Sequence, residues 1–178
     1  MLAFTFQVGD LAGELGYIKA QLRHLWIPSW LKSAARKLCH TDNSHQPCCI
    51  HKSPLSTCSF TAPDIAQALI AAKKRGVDVR VVVDADQSRQ RSQVAALNTL
   101  ALAGVSVRLN GRYQIMHDKV IVADRRTVQT GSFNYTRSAE KANSENVIVL
   151  WDVPGYAGEF LQHWQSRWDQ AAPYQPPY

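Results

Sequence analysis

Apolar and polar positions alternate with clear periods over most of this chain, and lose them near its start. Residues 63–75 repeat at helical spacing, with Pro63 in the first turn and Gly76 as the stop. Val77–Asp84 is a dense β-branched run and predicts a strand. Ser88–Ala103 returns to helical spacing and ends at Gly104, and Val105–Leu109 reads as a second short strand. Ile115–Ala123 has the apolar density of a buried strand, Asp124-Arg125-Arg126 supply a polar turn, and Thr127–Thr130 return, so 115–131 is expected as a β-hairpin. A strand at 147–151 and a helix from about Pro154 to Gln170 complete the series. Strands alternating with helices predict an α/β fold, a mixed β-sheet flanked by helices.

The first 57 residues fit this less well. Leu11–Arg23 and Trp30–Leu38 have amphipathic helical spacing interrupted at Pro28, whereas His40–Ser56 is polar, holds two prolines and shows no period. Pro54 argues against a central strand there. The expected organisation is therefore a divergent segment over 1–57, a folded domain over 58–172, and an extended, poorly ordered tail over 173–178.

Composition narrows the class. A chain of 178 residues with five tryptophans can bury the core of one α/β domain. The net charge of +6 suits a polyanionic partner, but the excess divides evenly between 1–57 and the rest, so it favours nucleic acid only weakly. No apolar run reaches the roughly 18 residues of a membrane span, so stable membrane insertion is not expected. Asp10 and Glu14 break the opening stretch, and no signal peptide is readable. Cys39, His40, His45, Cys48, Cys49, His51 and Cys58 lack the paired spacing of structural zinc sites and are expected as unpaired thiols and loop histidines. Lys73-Lys74-Arg75 suits either a nucleic-acid backbone or a helix dipole, and His163, Trp164 and Trp168 are expected to pack a core or an interface.

The chemistry concentrates in eighteen residues. His117-Asp118-Lys119, then Asp124, then Gly131-Ser132-Phe133-Asn134 read H-x-K-x4-D-x6-G-S-x-N. On one strand His117 and Lys119 face the same way, an arrangement poor for a core and suited to receiving an anion. Gly131 admits close approach to the main chain, and Ser132 and Asn134 offer donors that, with Lys119, hold the non-bridging oxygens of a phosphate. Neutral imidazole is not repelled by an anionic diester, so His117 suits nucleophilic attack without a metal or other cofactor. Glu145, before the strand at 147, is a source for the carboxylate that would orient the imidazole.

This signature resembles that of the phospholipase D superfamily. The run IMHDKVIVADRRTVQTGSFNYTRSAEKANSENVIVLWDVP, with SFTAPDIAQALIAAKKRGVDVRVVVD upstream and FLQHWQSRWDQ downstream, is especially similar to its small bacterial endonucleases. The resemblance implies a phospholipase D-like fold with one motif per chain and a phosphodiesterase working through a phosphohistidine on His117. It implies that Lys119, Ser132 and Asn134 bind the phosphate, that Glu145 orients His117, and that Asp124 pairs within the site without touching substrate. Full-length members carry two motifs, so the single copy here implies a two-fold homodimer sharing the active site. Members are often exported, and a strand normally precedes the SFTAPD run. The expected substrate is DNA, or RNA, with little sequence preference. A phospholipase D acting on phosphatidylcholine-like lipids, and a catalytically disabled nucleic-acid-binding protein, are the alternatives.

Overall fold

The computed structural model describes residues 18–20 and 52–177. Strand β1 (Ile18–Ala20) comes first, followed by β2 (Lys52–Thr57), helix α1 (Pro63–Lys74), β3 (Asp78–Asp84) and α2 (Arg91–Leu102). Then come β4 (Ser106–Asn110), β5 (Lys119–Ala123), β6 (Thr127–Gly131), the short α3 (Arg137–Lys141) and β7 (Val147–Leu150). The long α4 (Pro154–Asp169) and the two-residue β8 (Ala172–Pro173) end the series.

One sheet contains these strands in the order β1-β7-β6-β5-β2-β3-β4-β8. The β2–β3 and β3–β4 pairs are parallel and the others antiparallel, as the α/β reading of the sequence requires. Leu55, Val79, Val81 and Val83 pack against α1 and α2 on one face, through Ile65, Leu69, Leu97 and Leu100. On the other face α4 covers Val120, Val122 and Val128 through Ala157, and Val82 through Trp164 and Trp168. Strand β3 is thus buried on both faces over its second half, which is why Val81-Val82-Val83 run without alternation. Trp164 and Trp168 stack with centroids 5.0 Å apart, confirming the packing role expected of them.

Several expectations give way. Pro54 lies within central β2, paired with Arg80 of β3. The β5 ladder reaches only Leu55 to Thr57, so the missing N–H falls outside it. Residues 18–20 are a strand, not a helix, because β7 offers an open edge to pair with. The tail is pinned over 172–174: Ala172 and Pro173 pair with β4, and Tyr174 donates from its amide to the Val107 carbonyl at 2.9 Å and from its hydroxyl to Asn98 Oδ1 at 2.6 Å. The helix expected from Ser88 starts at Arg91, since extended Gln90 separates it from a single 3-10 turn. Helix α3 was not anticipated; Thr136 caps it by accepting from the Ala139 amide. Cys58 is a buried free thiol, while the other cysteines and the helix expected at Trp30–Leu38 lie outside the described residues.

Candidate active site

Parallel and antiparallel pairings together bring the chemistry to one end of the sheet. Because Thr57 pairs with Lys119, the carboxyl ends of β2, β3, β4 and β6 meet the amino ends of β5 and β7. Ligands of open α/β sheets bind outside carboxyl strand ends for the same geometric reason.

Lys119 opens β5 and is almost fully buried, while His117, two residues earlier, is exposed. The expected strand over 115–123 begins only at Lys119, because the amide of Met116 donates to the Asp84 carboxylate and not to a neighbouring strand. Lys119 Nζ donates to the His117 carbonyl at 2.8 Å, so the ammonium is anchored to the backbone of His117. Both side chains line a cavity of about 380 Å³ with Thr130, Gly131, Phe160 and His163. Burial pushes the Lys119 ammonium below the ordinary lysine value, opposed by the charges of Cys58, Asp118 and Glu145.

Beyond β6, Phe133 and Tyr135 are buried and Ser132 is exposed. The two rings meet edge to face at 6.0 Å, and Tyr135 donates to Gln129 Oε1 at 2.6 Å. The amides of Thr61 and Ala62 donate to the Tyr135 carbonyl, fastening this segment to the start of α1. In extended chain the alternate positions, exposed Ser132 and half-buried Asn134, then lie on the side opposite the two rings.

Glu145 accepts from Ser132 Oγ and, at 2.9 Å, from Asn143 Nδ2. Those two contacts hold it, and neither comes from the His117 ring, which it was expected to orient. Ser132 Oγ also accepts from the Asn146 amide at 3.1 Å. Asn134 Oδ1 is buried without a hydrogen-bond partner among the described residues, an unsatisfied acceptor at a position expected to bind phosphate. Gly131 permits the tight crossing here: its φ is +150°, and a Cβ would stand 2.2 Å from the Asn146 carbonyl oxygen.

Asp124, expected inside the site, sits in the turn at the far end of the hairpin. Five residues of β5 separate it from His117 and Asp118, on the order of 16 Å of extended chain. Asp124 and Arg125 both have positive φ, 55° and 57°, the signature of a tight type I′ turn. Lys73 and Lys74 end α1 beside the amino end of β3, at the other end of the sheet from His117, so they complement the helix dipole and lie away from the site.

His163, expected to pack a core or an interface, lies outside the core and faces the cavity. Its Nε2 lies 3.0 Å from Asp118 Oδ2, and Arg167 Nε lies 3.6 Å from the same oxygen. Residues 163 and 167 form one i, i+4 stripe of α4 and 164 and 168 the adjoining one. That spacing was the signal that separates the polar pair from the tryptophans.

With this geometry in view, the comparisons with known proteins are decisive about ancestry. A family model described as "Cardiolipin synthase, PLD-like domain" matches residues 49–170. The chain belongs to the phospholipase D-like family. Nuc of Salmonella typhimurium, a phospholipase D family member, superposes with a TM-score of 0.72 at 44% identity, covering 83% of this chain and 90% of that one. Phospholipase D of Rickettsia bellii is 42% identical over 103 residues, which is 58% of this chain and 50% of that protein. The chain therefore spans about half the length of such curated relatives. Mitochondrial cardiolipin hydrolase of Xenopus tropicalis is 34% identical over 76% of this chain and 68% of that protein. The phospholipase D-like match begins at residue 49 and so takes in β2, the strand that Pro54 had argued against.

Proposed function

We propose that this protein is a metal-independent phosphodiesterase whose nucleophile is His117 and whose preferred substrate is DNA. The observation that carries the reading is the cavity where exposed His117 stands beside the buried ammonium of Lys119. An imidazole nitrogen attacks phosphorus, forming a P–N bond as the P–O bond to the leaving group breaks. Lys119, with donors from Ser132 and Asn134, stabilises the charge that grows on the non-bridging oxygens. Without substrate Ser132 gives its one hydroxyl hydrogen to Glu145 and accepts from the Asn146 amide, and it turns that hydrogen to the phosphate when substrate binds.

The leaving oxygen needs a proton that the bonded His117 cannot supply. The partner's His117, brought across a two-fold axis, donates it. Now neutral, that imidazole removes a proton from water as the water attacks phosphorus, and the P–N bond breaks to restore the enzyme. Tyr113 and Ile115, exposed apolar side chains on the loop that carries His117, suit such a contact. DNA is favoured by the positive net charge, which suits a polyanionic substrate. Phosphate contacts carry no base information, so cleavage is expected to be non-specific.

The relatives named phospholipase D and cardiolipin hydrolase support a second reading, hydrolysis of a lipid phosphodiester by the same steps. Plasmid nicking and lipid hydrolysis, each in EDTA with His117→Ala beside the native protein, decide between them. Chelator-resistant nicking that the substitution abolishes is the expected result. Lipid turnover without nicking would move the assignment to lipid, and DNA retention without cleavage would leave only a binding protein.

A further inference from the structure

Asp84 is a buried acid that the chemistry above does not use. It ends β3, is 2% exposed, and spends both carboxylate oxygens on main-chain amides. Oδ1 accepts from Gln87 N at 2.9 Å, close by in sequence, and Oδ2 accepts from Met116 N at 2.8 Å, thirty-two residues away. A buried carboxyl group whose two oxygens both accept from backbone N–H groups fixes those amides directionally.

The loop from Gly111 to Asp118 belongs to no helix or strand, so its path must be fixed otherwise. Asn110 Oδ1 accepts from Arg112 N at 2.9 Å and secures its start. Asp84 grips Met116, whose side chain is buried in the cluster that holds Trp164 and Trp168. Lys119 Nζ grips the carbonyl of His117 itself. The nucleophile is thus held from both sides by its backbone while its ring stays exposed.

We infer that Asp84 is a positioning residue, whose carboxylate fixes the main chain at Met116 and thereby the line along which His117 meets phosphorus. The inference rests on the phosphodiesterase reading of His117. Attack in line with the leaving group tolerates little error, and a misplacement of about 1 Å costs on the order of a hundredfold in rate.

Asp84→Asn tests this in the full chain, since the amide keeps the shape but has one acceptor oxygen for two N–H donors. The probe is bis(p-nitrophenyl) phosphate. Leu97→Ala, a core truncation between α2 and the sheet, serves as an equally or more destabilised control. Asp84→Asn should lower kcat between about tenfold and a hundredfold with KM within about twofold, while Leu97→Ala keeps both within about twofold once folded fraction is matched. An unchanged kcat in Asp84→Asn, or an equal loss in Leu97→Ala, overturns the inference.

If the native protein turns over no phosphodiester, the phosphodiesterase reading fails and amide NMR judges the positioning alone. Loss of the downfield Met116 amide shift with faster motion at His117 in Asp84→Asn then supports it. Unaltered Met116 and His117 signals overturn it.

Discussion

Lys119 shows how one residue couples stability to function. Burial lowers its pKa in the folded chain below the ordinary lysine value. Between the two values the unfolded chain holds a proton that the folded chain has released, so this residue makes stability rise with pH across that window. Over the same window the ammonium proposed to hold the phosphate is lost, and kcat/KM should fall. Denaturant unfolding against pH, native minus Lys119→Met, should show that rise; a decline across the window would contradict it. Gly131 makes a second prediction. Its φ and the 2.2 Å approach to the Asn146 carbonyl leave no room for a methyl group, so Gly131→Ala should cost about 3 kcal/mol in urea unfolding. The residue types of the motif were legible because their chemistry is local. Asp84, Asp118 and His163 were not, because each acts across the fold on a partner far along the chain.

The hairpin β5–β6 and helix α4 position the site at the scale of elements. The turn at Asp124 and Arg125 holds two side-chain-bearing residues at positive φ, which costs each of them. Arg125→Gly should therefore raise stability by about 0.5 kcal/mol and leave activity unchanged, since the turn is at the end away from His117. A loss of activity would show that the hairpin transmits strain. Helix α4 is docked by Trp164, whose Nε1 donates to the Leu55 carbonyl at 2.9 Å. Trp164→Phe keeps most of the packing and removes that hydrogen bond, so a loss of about 1 kcal/mol is expected in thermal or urea unfolding. Most elements were readable from periodicity and stop signals. The exceptions share a cause: β1, β8 and the start of β5 depend on what lies beside them, and Pro54 is tolerated because the adjacent ladder starts one residue later.

At the scale of the whole molecule, the proposed two-histidine mechanism makes a two-fold dimer the unit of function. If each site needs two copies of His117, mixing native protein with an equal amount of His117→Ala and allowing exchange should leave about a quarter of the native activity, where independent subunits would leave about a half. The mixed sheet and family membership were legible from the order of elements and the motif. Substrate choice was not, because the same phosphate-holding groups serve nucleic acid and lipid alike. The central claim is that His117 becomes covalently bonded to phosphorus. Peptide mass spectrometry of enzyme quenched during turnover of a phosphodiester in EDTA tests it most directly. An acid-labile phosphoryl adduct on the peptide containing His117, absent from His117→Ala, is predicted. Sustained turnover in EDTA with no adduct on that peptide, or an adduct on another residue, would contradict it.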